Sequence, residues 1–223
     1  MMIKDNLKRI VATLKPGVRL VAVSKYQPIA ALQEAYDAGQ RAFGESHVQE
    51  LVVKHEALPK DVEWHFIGHL QTNKVKYMAS FVSLIHSVDS LKLLKEINKQ
   101  ALKAGRVIDV LLQLHVAAEE TKFGLTQHEV VEMLESDDFI ALKNVRVVGL
   151  MAMATNTEDE EQVAMEFESV RQFYHVLKDG YFSGKPEFKE ISMGMSGDYL
   201  IAQKYESTLV RVGSSIFGER IYE

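Results

Sequence analysis

Val18-Arg19-Leu20-Val21-Ala22-Val23-Ser24-Lys25 is the stretch whose reading decides the fold. Val18, Leu20, Val21, Ala22 and Val23 are apolar, Ser24 is small, and the run stops at a lysine with Pro28 close behind. A short, nearly continuous valine and leucine run bounded by turn chemistry reads as a strand buried on both faces, the kind parallel sheets use. Lys25 then stands at the carboxyl end of a buried strand, on the rim of a sheet. Partial desolvation there lowers the pKa of an ammonium and frees neutral amine for attack on a carbonyl. The plainer alternative is the first solvated residue of a loop.

Outward from this strand the chain alternates. Ile3, Leu7, Ile10, Val11 and Leu14 recur at helical spacing and predict an opening amphipathic helix, ended by Pro16-Gly17. Pro28 opens a second helix with Ile29, Leu32, Ala35 and Tyr36 on one face and Gly39 at its end. Further strands are predicted at 41–45, 63–67, 81–88, 107–116, 145–153, 189–193 and 209–212. Between them come a helical run to Leu58-Pro59, a short helix over 72–78, and a helix carrying Leu91, Leu94, Ile97 and Ala101 capped by Asp89 or Ser90. Thr126-Gln127-His128-Glu129 has capping-box spacing before a helix to about Glu135. Val163, Phe167, Val170, Tyr174 and Leu177 mark a helical core face, and 199–204 a final turn or two. Such alternation favours a parallel sheet. Eight strands favour closure over an open doubly wound sheet. The expected fold is α/β: a single-domain (β/α)8 TIM-type barrel over residues 1–223 with an extra N-terminal helix.

Composition narrows the function. A chain of 223 residues suits one large domain and buries ample core. The absence of cysteine excludes a disulfide framework, thiolate catalysis and sulfur-ligated metals. A formal net charge of -5 argues against a dominant nucleic-acid surface. Met1-Met2-Ile3-Lys4-Asp5 lacks the apolar core of a secretory signal, and no run is long and apolar enough to span a membrane. The expectation is a soluble cytoplasmic protein.

In barrels of this kind the active face lies at the carboxyl ends of the strands, with phosphate commonly bound after strands seven and eight. Met193-Gly194-Met195-Ser196-Gly197-Asp198 follows strand seven and Gly213-Ser214-Ser215 follows strand eight. Glycines let the backbone approach an anion, and serine hydroxyls add donors. Equally, glycine and serine are ordinary loop chemistry. A lysine on strand one beside a phosphate loop on strand eight calls for a ligand with a carbonyl at one end and a phosphate at the other. Pyridoxal 5′-phosphate (PLP) answers to this, and so does the sugar phosphate of a Schiff-base aldolase. Arg211, just before the second loop, stands where a guanidinium could face a ring nitrogen, or in a salt bridge at the barrel end.

Other residues carry weaker signals. His65 and His69 have metal-like spacing, but a glycine separates them and they need not share a face, so no metal site is expected. The acidic run over 158–161 suits a solvated first helical turn. Most of the nine methionines read as core filler, with Met151 and Met193, at strand ends, expected to wall the pocket. Lys122 is a second cofactor-contact candidate, against the simpler reading as a loop lysine.

At these residues a resemblance becomes specific. Ala22-Val23-Ser24-Lys25, Phe43-Gly44-Glu45-Ser46-His47-Val48-Gln49-Glu50, Trp64-His65-Phe66-Ile67-Gly68-His69-Leu70-Gln71-Thr72-Asn73-Lys74, His86-Ser87-Val88-Asp89, Gly149-Leu150-Met151, Ser192-Met193-Gly194-Met195-Ser196-Gly197-Asp198 and Val210-Arg211-Val212-Gly213-Ser214-Ser215-Ile216-Phe217-Gly218 closely resemble the pyridoxal phosphate homeostasis protein family. The match runs from about Val18 to Arg220 in the family's order. It implies a barrel like the N-terminal domain of alanine racemase (PLP fold-type III), with PLP held as a Schiff base on Lys25. It also implies Ser196, Gly213 and Ser214 around the phosphate and Arg211 near the pyridine nitrogen. Family members are regarded as non-catalytic and act in vitamin B6 and amino- and keto-acid homeostasis. The chain departs from the family at Ser46 and His115, where asparagine is usual, and at Glu206-Ser207, where Gly-Ser is usual. Ser46 lies close enough to a strand end to join the cofactor's surroundings.

A racemase needs an acid/base group across the substrate from the lysine, supplied in alanine racemase by a further domain. This chain ends about ten residues after the eighth strand, leaving no room for such a domain, so the expectation is a holder of PLP with one face open, a monomer or weak dimer, whose open face would let the aldehyde pass transiently to apo enzymes. The alternatives are a PLP-dependent racemase or lyase using His115 or Tyr26, and the sugar-phosphate aldolase.

Overall fold

Arg19–Val23 (β1) pairs in parallel with Ala42–Glu45 (β2) on one side and with Leu209–Val212 (β8) on the other, so the sheet has no free edge at its start. The computed structural model describes residues 2–119 and 123–218, and within them eight parallel strands close in sequence order. The remaining strands are Glu63–Phe66 (β3), Leu84–Val88 (β4), Ile108–Leu114 (β5), Val145–Ala152 (β6) and Glu190–Ser192 (β7). The helices are Ile3–Val11 (α1), Ile29–Asp37 (α2), Val48–Ala57 (α3), Leu91–Lys103 (α4), Gln127–Glu135 (α5), Asp137–Ile140 (α6), Glu160–Asp179 (α7), Tyr199–Ala202 (α8) and Ser214–Phe217 (α9). Two 3-10 turns lie at Thr72–Tyr77 and Gln203–Tyr205. This is the expected TIM-type barrel.

Alternation along each strand splits the core in two. Val21, Leu84, Leu111, Val148, Met151 and Leu209 fill the barrel interior, while Leu20, Ala22, Phe43, Trp64, Leu112 and Val210 face the helices. The α7 face of Val163, Phe167, Val170, Tyr174 and Leu177 is buried as its spacing predicts. Ser90 caps α4, and Thr126 and Glu129 form the reciprocal capping box of α5. α1 lies against α9, where the buried Asn6 amide donates to the Ile216 carbonyl at 2.8 Å.

Boundaries differ where backbone donors are already taken. The predicted strand over 81–88 begins only at Leu84, because the Phe81 and Val82 N–H groups bond back to the Met78 carbonyl. The opening helix stops at Val11 rather than at Pro16, and Val11 faces solvent. Ser136 caps the short α6, which the sequence reading leaves out. Glu206 adopts φ 63°, the left-handed region glycine favours, and its carboxylate binds Arg171 and His175 of α7 at 3.1 and 2.9 Å. Lys122 and Arg220 lie outside the described residues.

One irregularity decides what the barrel mouth contains. Between β5 and β6 the register moves from Val110 opposite Val147 to Leu111 opposite Gly149, leaving Val148 as a bulge residue. Without it, Val148 inward would imply Leu150 inward; instead Leu150 packs outward and Met151 inward. A methyl group on Gly149 would land on the Glu190 carbonyl oxygen of the neighbouring strand. Gly149→Ala is therefore expected to lower the unfolding free energy by roughly 3 kcal/mol or more, since backbone must move to admit it. Urea titration of the two proteins checks this, and equal midpoints would show that the close approach is not required.

Candidate functional site

Lys25, Ser46, Ser196, Arg211, Gly213 and Ser214 share one cavity of about 270 Å³ at the carboxyl ends of the strands. Val23, Ile67, Met153 and Met195 supply its apolar wall. The methionines at the cavity are thus Met153 and Met195, not the expected Met151 and Met193. Met151 sits two residues lower in the packed barrel interior, and Met193 is fully buried on the helix-facing side of β7.

Barrel closure brings the two ends of the site together. Val21 pairs with Arg211 and Ala22 with Val212, so Lys25 and the Gly213 loop leave adjacent strands on the same rim. Lys25 is half-buried in a turn that the Ser24 carbonyl closes by accepting from the Gln27 N–H at 3.0 Å. The Gly213 N–H donates to the Ser196 hydroxyl at 3.3 Å, tying the two predicted anion loops to each other. Ser214 and Ser215 open α9, and the first N–H groups of a helix have no intrahelical partner. Position 213 is tight, because a Cβ there would stand 3.0 Å from the Val23 carbonyl oxygen and 3.2 Å from Val23 Cβ.

Arg211 is buried and points across the barrel rather than to solvent. It donates to the Ser192 carbonyl at 2.8 Å, the Ser192 hydroxyl at 2.6 Å and the Ala152 carbonyl at 3.0 Å. Among the described residues it forms no salt bridge, the alternative weighed from the sequence. Burial pushes its guanidinium down to about 10, which still leaves it protonated at neutral pH. Behind it runs a polar chain: Ser192 Oγ is 2.8 Å from His86 Nδ1, and His86 Nε2 is 2.8 Å from His65 Nδ1. Arginine can only donate, so the Ser192 hydroxyl accepts from it, and with His86 Nδ1 its other partner among the described residues the hydroxyl satisfies its own hydrogen by donating there. His86 then carries its proton on Nε2 and donates to His65. Burial pulls His65 down to about 3 and His86 well below its usual range, so both rings are neutral.

Sequence reasoning missed Ser192 and His86 as site residues and weighed His65 only for metal. Among the described residues no cluster of three or more histidines and acids is arranged to hold a metal. The available signal was a polar residue at an inward position of an apolar strand, three times over. His115 does not reach the cavity, and its ring bonds the Glu119 carbonyl at 3.1 Å. Also missed was Lys54, buried on α3, whose Nζ lies 2.8 Å from Glu45 and 2.5 Å from Glu50. Burial raises the Glu45 carboxyl to about 7, with Lys54 pulling it back.

Comparison with known proteins places this geometry. The family described as alanine racemase, N-terminal domain, matches residues 2–221. A relative from Aquifex aeolicus (strain VF5), named pyridoxal phosphate homeostasis protein, is 42% identical over 205 residues, 92% of this chain and 88% of its own. The structure of PipY of Synechococcus elongatus PCC7942 with PLP bound superposes with a TM-score of 0.87 at 34% identity, over 97% of this chain and all of that one. Alanine racemase of Clostridium difficile 630 in complex with cycloserine shares the fold, with a TM-score of 0.78 at 12% identity, over 100% of this chain and 60% of that one.

The buried titratable groups set a pH dependence. Unfolded histidines take up protons below about pH 6.5 while His65 and His86 stay neutral when folded, so the unfolded chain binds more protons and stability falls on acidification. Glu45 acts oppositely, because its raised pKa lets the folded chain bind a proton first between about 7 and its ordinary value. Each group contributes roughly 1 kcal/mol per pH unit, and two histidines outweigh one glutamate. Unfolding free energy from urea titrations is expected to drop by about 1 kcal/mol per unit between pH 6.5 and 5. A rise over that window would contradict the assignment of neutral rings.

Proposed function

The chain belongs to the alanine racemase N-terminal domain family and, within it, to the pyridoxal phosphate homeostasis proteins, and from that premise we propose that it holds PLP at Lys25 without acting as an enzyme. Its role is in vitamin B6 and amino- and keto-acid homeostasis. We read residues 1–223 as one such domain, supported by barrel strands running from Arg19 to Val212. The cysteine-free chain suits a reducing compartment, and we place it in the cytoplasm. No helix among the described residues is long and apolar enough to cross a membrane.

The donor set in the cavity fits the cofactor. A primary amine, a buried cation and a paired loop of hydroxyl and backbone donors stand where an aldehyde, a pyridine nitrogen and a phosphate would be received. PLP, when bound, supplies an aldehyde that condenses with a primary amine and a ring that draws electron density from it. Lys25 presents that amine. Ser196, Gly213 and Ser214 hold the anion, Gly213 keeping the space that a side chain would fill. Ser46 and Met153 flank the opening, and Arg211, held by Ser192 and Ala152, keeps a fixed positive charge on the ring side. A guanidinium that stays protonated leaves the ring nitrogen without a proton, which weakens electron withdrawal.

One observation carries the non-catalytic reading. Among the described residues lining the cavity, Lys25 and Arg211 are the only titratable groups. Racemisation needs two proton-exchanging groups on opposite faces, and Arg211 does not release its proton near neutral pH. The arrangement serves to bind and release rather than to turn over, and direct transfer to an apo enzyme's lysine is the natural outlet.

Mixing the protein with PLP is expected to give a visible absorbance band and, after borohydride, a mass increase on the peptide carrying Lys25. Lys25→Ala should abolish both, and their persistence would refute the site. In deuterium oxide the holo protein is expected to leave the α-hydrogen of amino acids in place. Exchange that disappears in Lys25→Ala would establish a racemase or lyase instead.

A further inference from the structure

The two peptide groups that bracket Lys25 are held by one ion pair. The Ser24 carbonyl accepts from Lys54 Nζ at 2.7 Å, and the Tyr26 N–H donates to Glu50 Oε1 at 2.7 Å. Lys54 Nζ and Glu50 Oε1 lie 2.5 Å apart, one turn from each other on α3. Glu45, the last residue of β2, completes the set, its Oε1 accepting from Lys54 Nζ at 2.8 Å and from the Ser24 hydroxyl at 2.6 Å. Helix α3 and strand β2 therefore grip the end of β1 from outside the barrel, on the side away from the cavity.

The turn they grip is one this sequence disfavours. It runs from Ser24 to Gln27, with Lys25 second and Tyr26 third. Tyr26 has φ 63°, a left-handed conformation that glycine or asparagine ordinarily supplies. An aromatic residue there persists only when its surroundings over-determine it. The cluster is also a poor device for stability alone. It sets two acids, one buried and one partly exposed, against a single buried ammonium, and Glu45 Oε2 is buried with no hydrogen-bond partner among the described residues. Apolar residues of similar volume commonly match or exceed the stability of such a group. What charge-assisted bonds to both flanking peptides do supply is a single backbone conformation.

We propose that Lys54, Glu50 and Glu45 form a positioning unit for Lys25, holding the left-handed turn that presents its amine to the cofactor cavity. The proposal rests on the reading of Lys25 as the point of attachment. It assigns a role to three residues that do not line the cavity. Loss of the unit leaves Lys25 chemically intact and its backbone free to relax.

The test compares the parent with Lys25→Ala, Glu50→Ala, Glu50→Gln and Lys54→Met, each checked for folding by circular dichroism. The rate of PLP addition is followed by stopped-flow absorbance, and amide exchange at Tyr26 is measured in the cofactor-free chain. Glu50→Ala and Lys54→Met are expected to slow addition about 10-fold or more, since small misplacements of a reacting group are costly, and to speed exchange at Tyr26. Glu50→Gln keeps an acceptor for the Tyr26 N–H and should stay within about 3-fold of the parent. Adding Tyr26→Gly to Glu50→Ala removes the steric objection to the turn and should recover part of the rate. Should Lys54→Met not fold, the Glu50 series decides, because that side chain is partly exposed and its truncation opens no sealed cavity. Parent-like addition and parent-like exchange in folded Glu50→Ala would overturn the proposal while leaving the site intact. PLP addition that survives in Lys25→Ala would instead overturn the site, and the proposal with it.

Discussion

Backbone pairing between β1 and β8, in the register that sets Val21 beside Arg211 and Ala22 beside Val212, is the constraint on which the rest of the structure depends. Lys25 and Gly213 are nearly two hundred positions apart in the chain, yet each follows the last residues of one of these paired strands by a step or two. The close approach of Gly213 to the Val23 carbonyl is the same seam seen from above. A parallel sheet cannot bring its first and last strands together unless it closes, and closure in turn forces every strand to bury both faces.

Burying both faces makes polar residues on these strands expensive unless they are bonded to one another. The interior answers with a directed chain from Arg211 through Ser192 and His86 to His65. Its first member can only donate and the Ser192 hydroxyl must place its own hydrogen on His86, which orders the chain, and both imidazoles are held neutral by their surroundings. On the outer side of the barrel, Ser24 at the end of β1 and Glu45 of β2 meet Lys54 of α3. The cavity thus rests on two separate polar supports, one beneath Arg211 and one behind Lys25. Each fixes a cation without itself entering the cavity.

Different parts of the structure were legible in the sequence to different degrees. Eight apolar runs at the spacing of β/α units were enough for the barrel, since the period of a buried strand and the length of its crossover are local properties. The two glycine and serine loops, the lysine and the arginine were readable because special backbone demands and fixed charges leave a mark on residue type. The methionine wall was not. Met151 and Met153 share one face two residues apart, so which of them reaches the cavity is a matter of depth in the barrel, and that both face inward past position 148 depends on a bulge that exists only where Gly149 meets the Glu190 carbonyl.

The sequence by itself determined where the strands lie to within a few residues, the capping box of α5, and that an amine and a guanidinium stand at the ends of strands one and eight, because each of these follows from neighbours along the chain. Only the tertiary structure decided that His65, His86 and Ser192 join Arg211, and that Lys54 and Glu50 hold the turn at Lys25. The physical reason is that a buried polar group is defined by its partner. In a closed barrel that partner comes from another strand or helix, at a distance along the chain that no local pattern records.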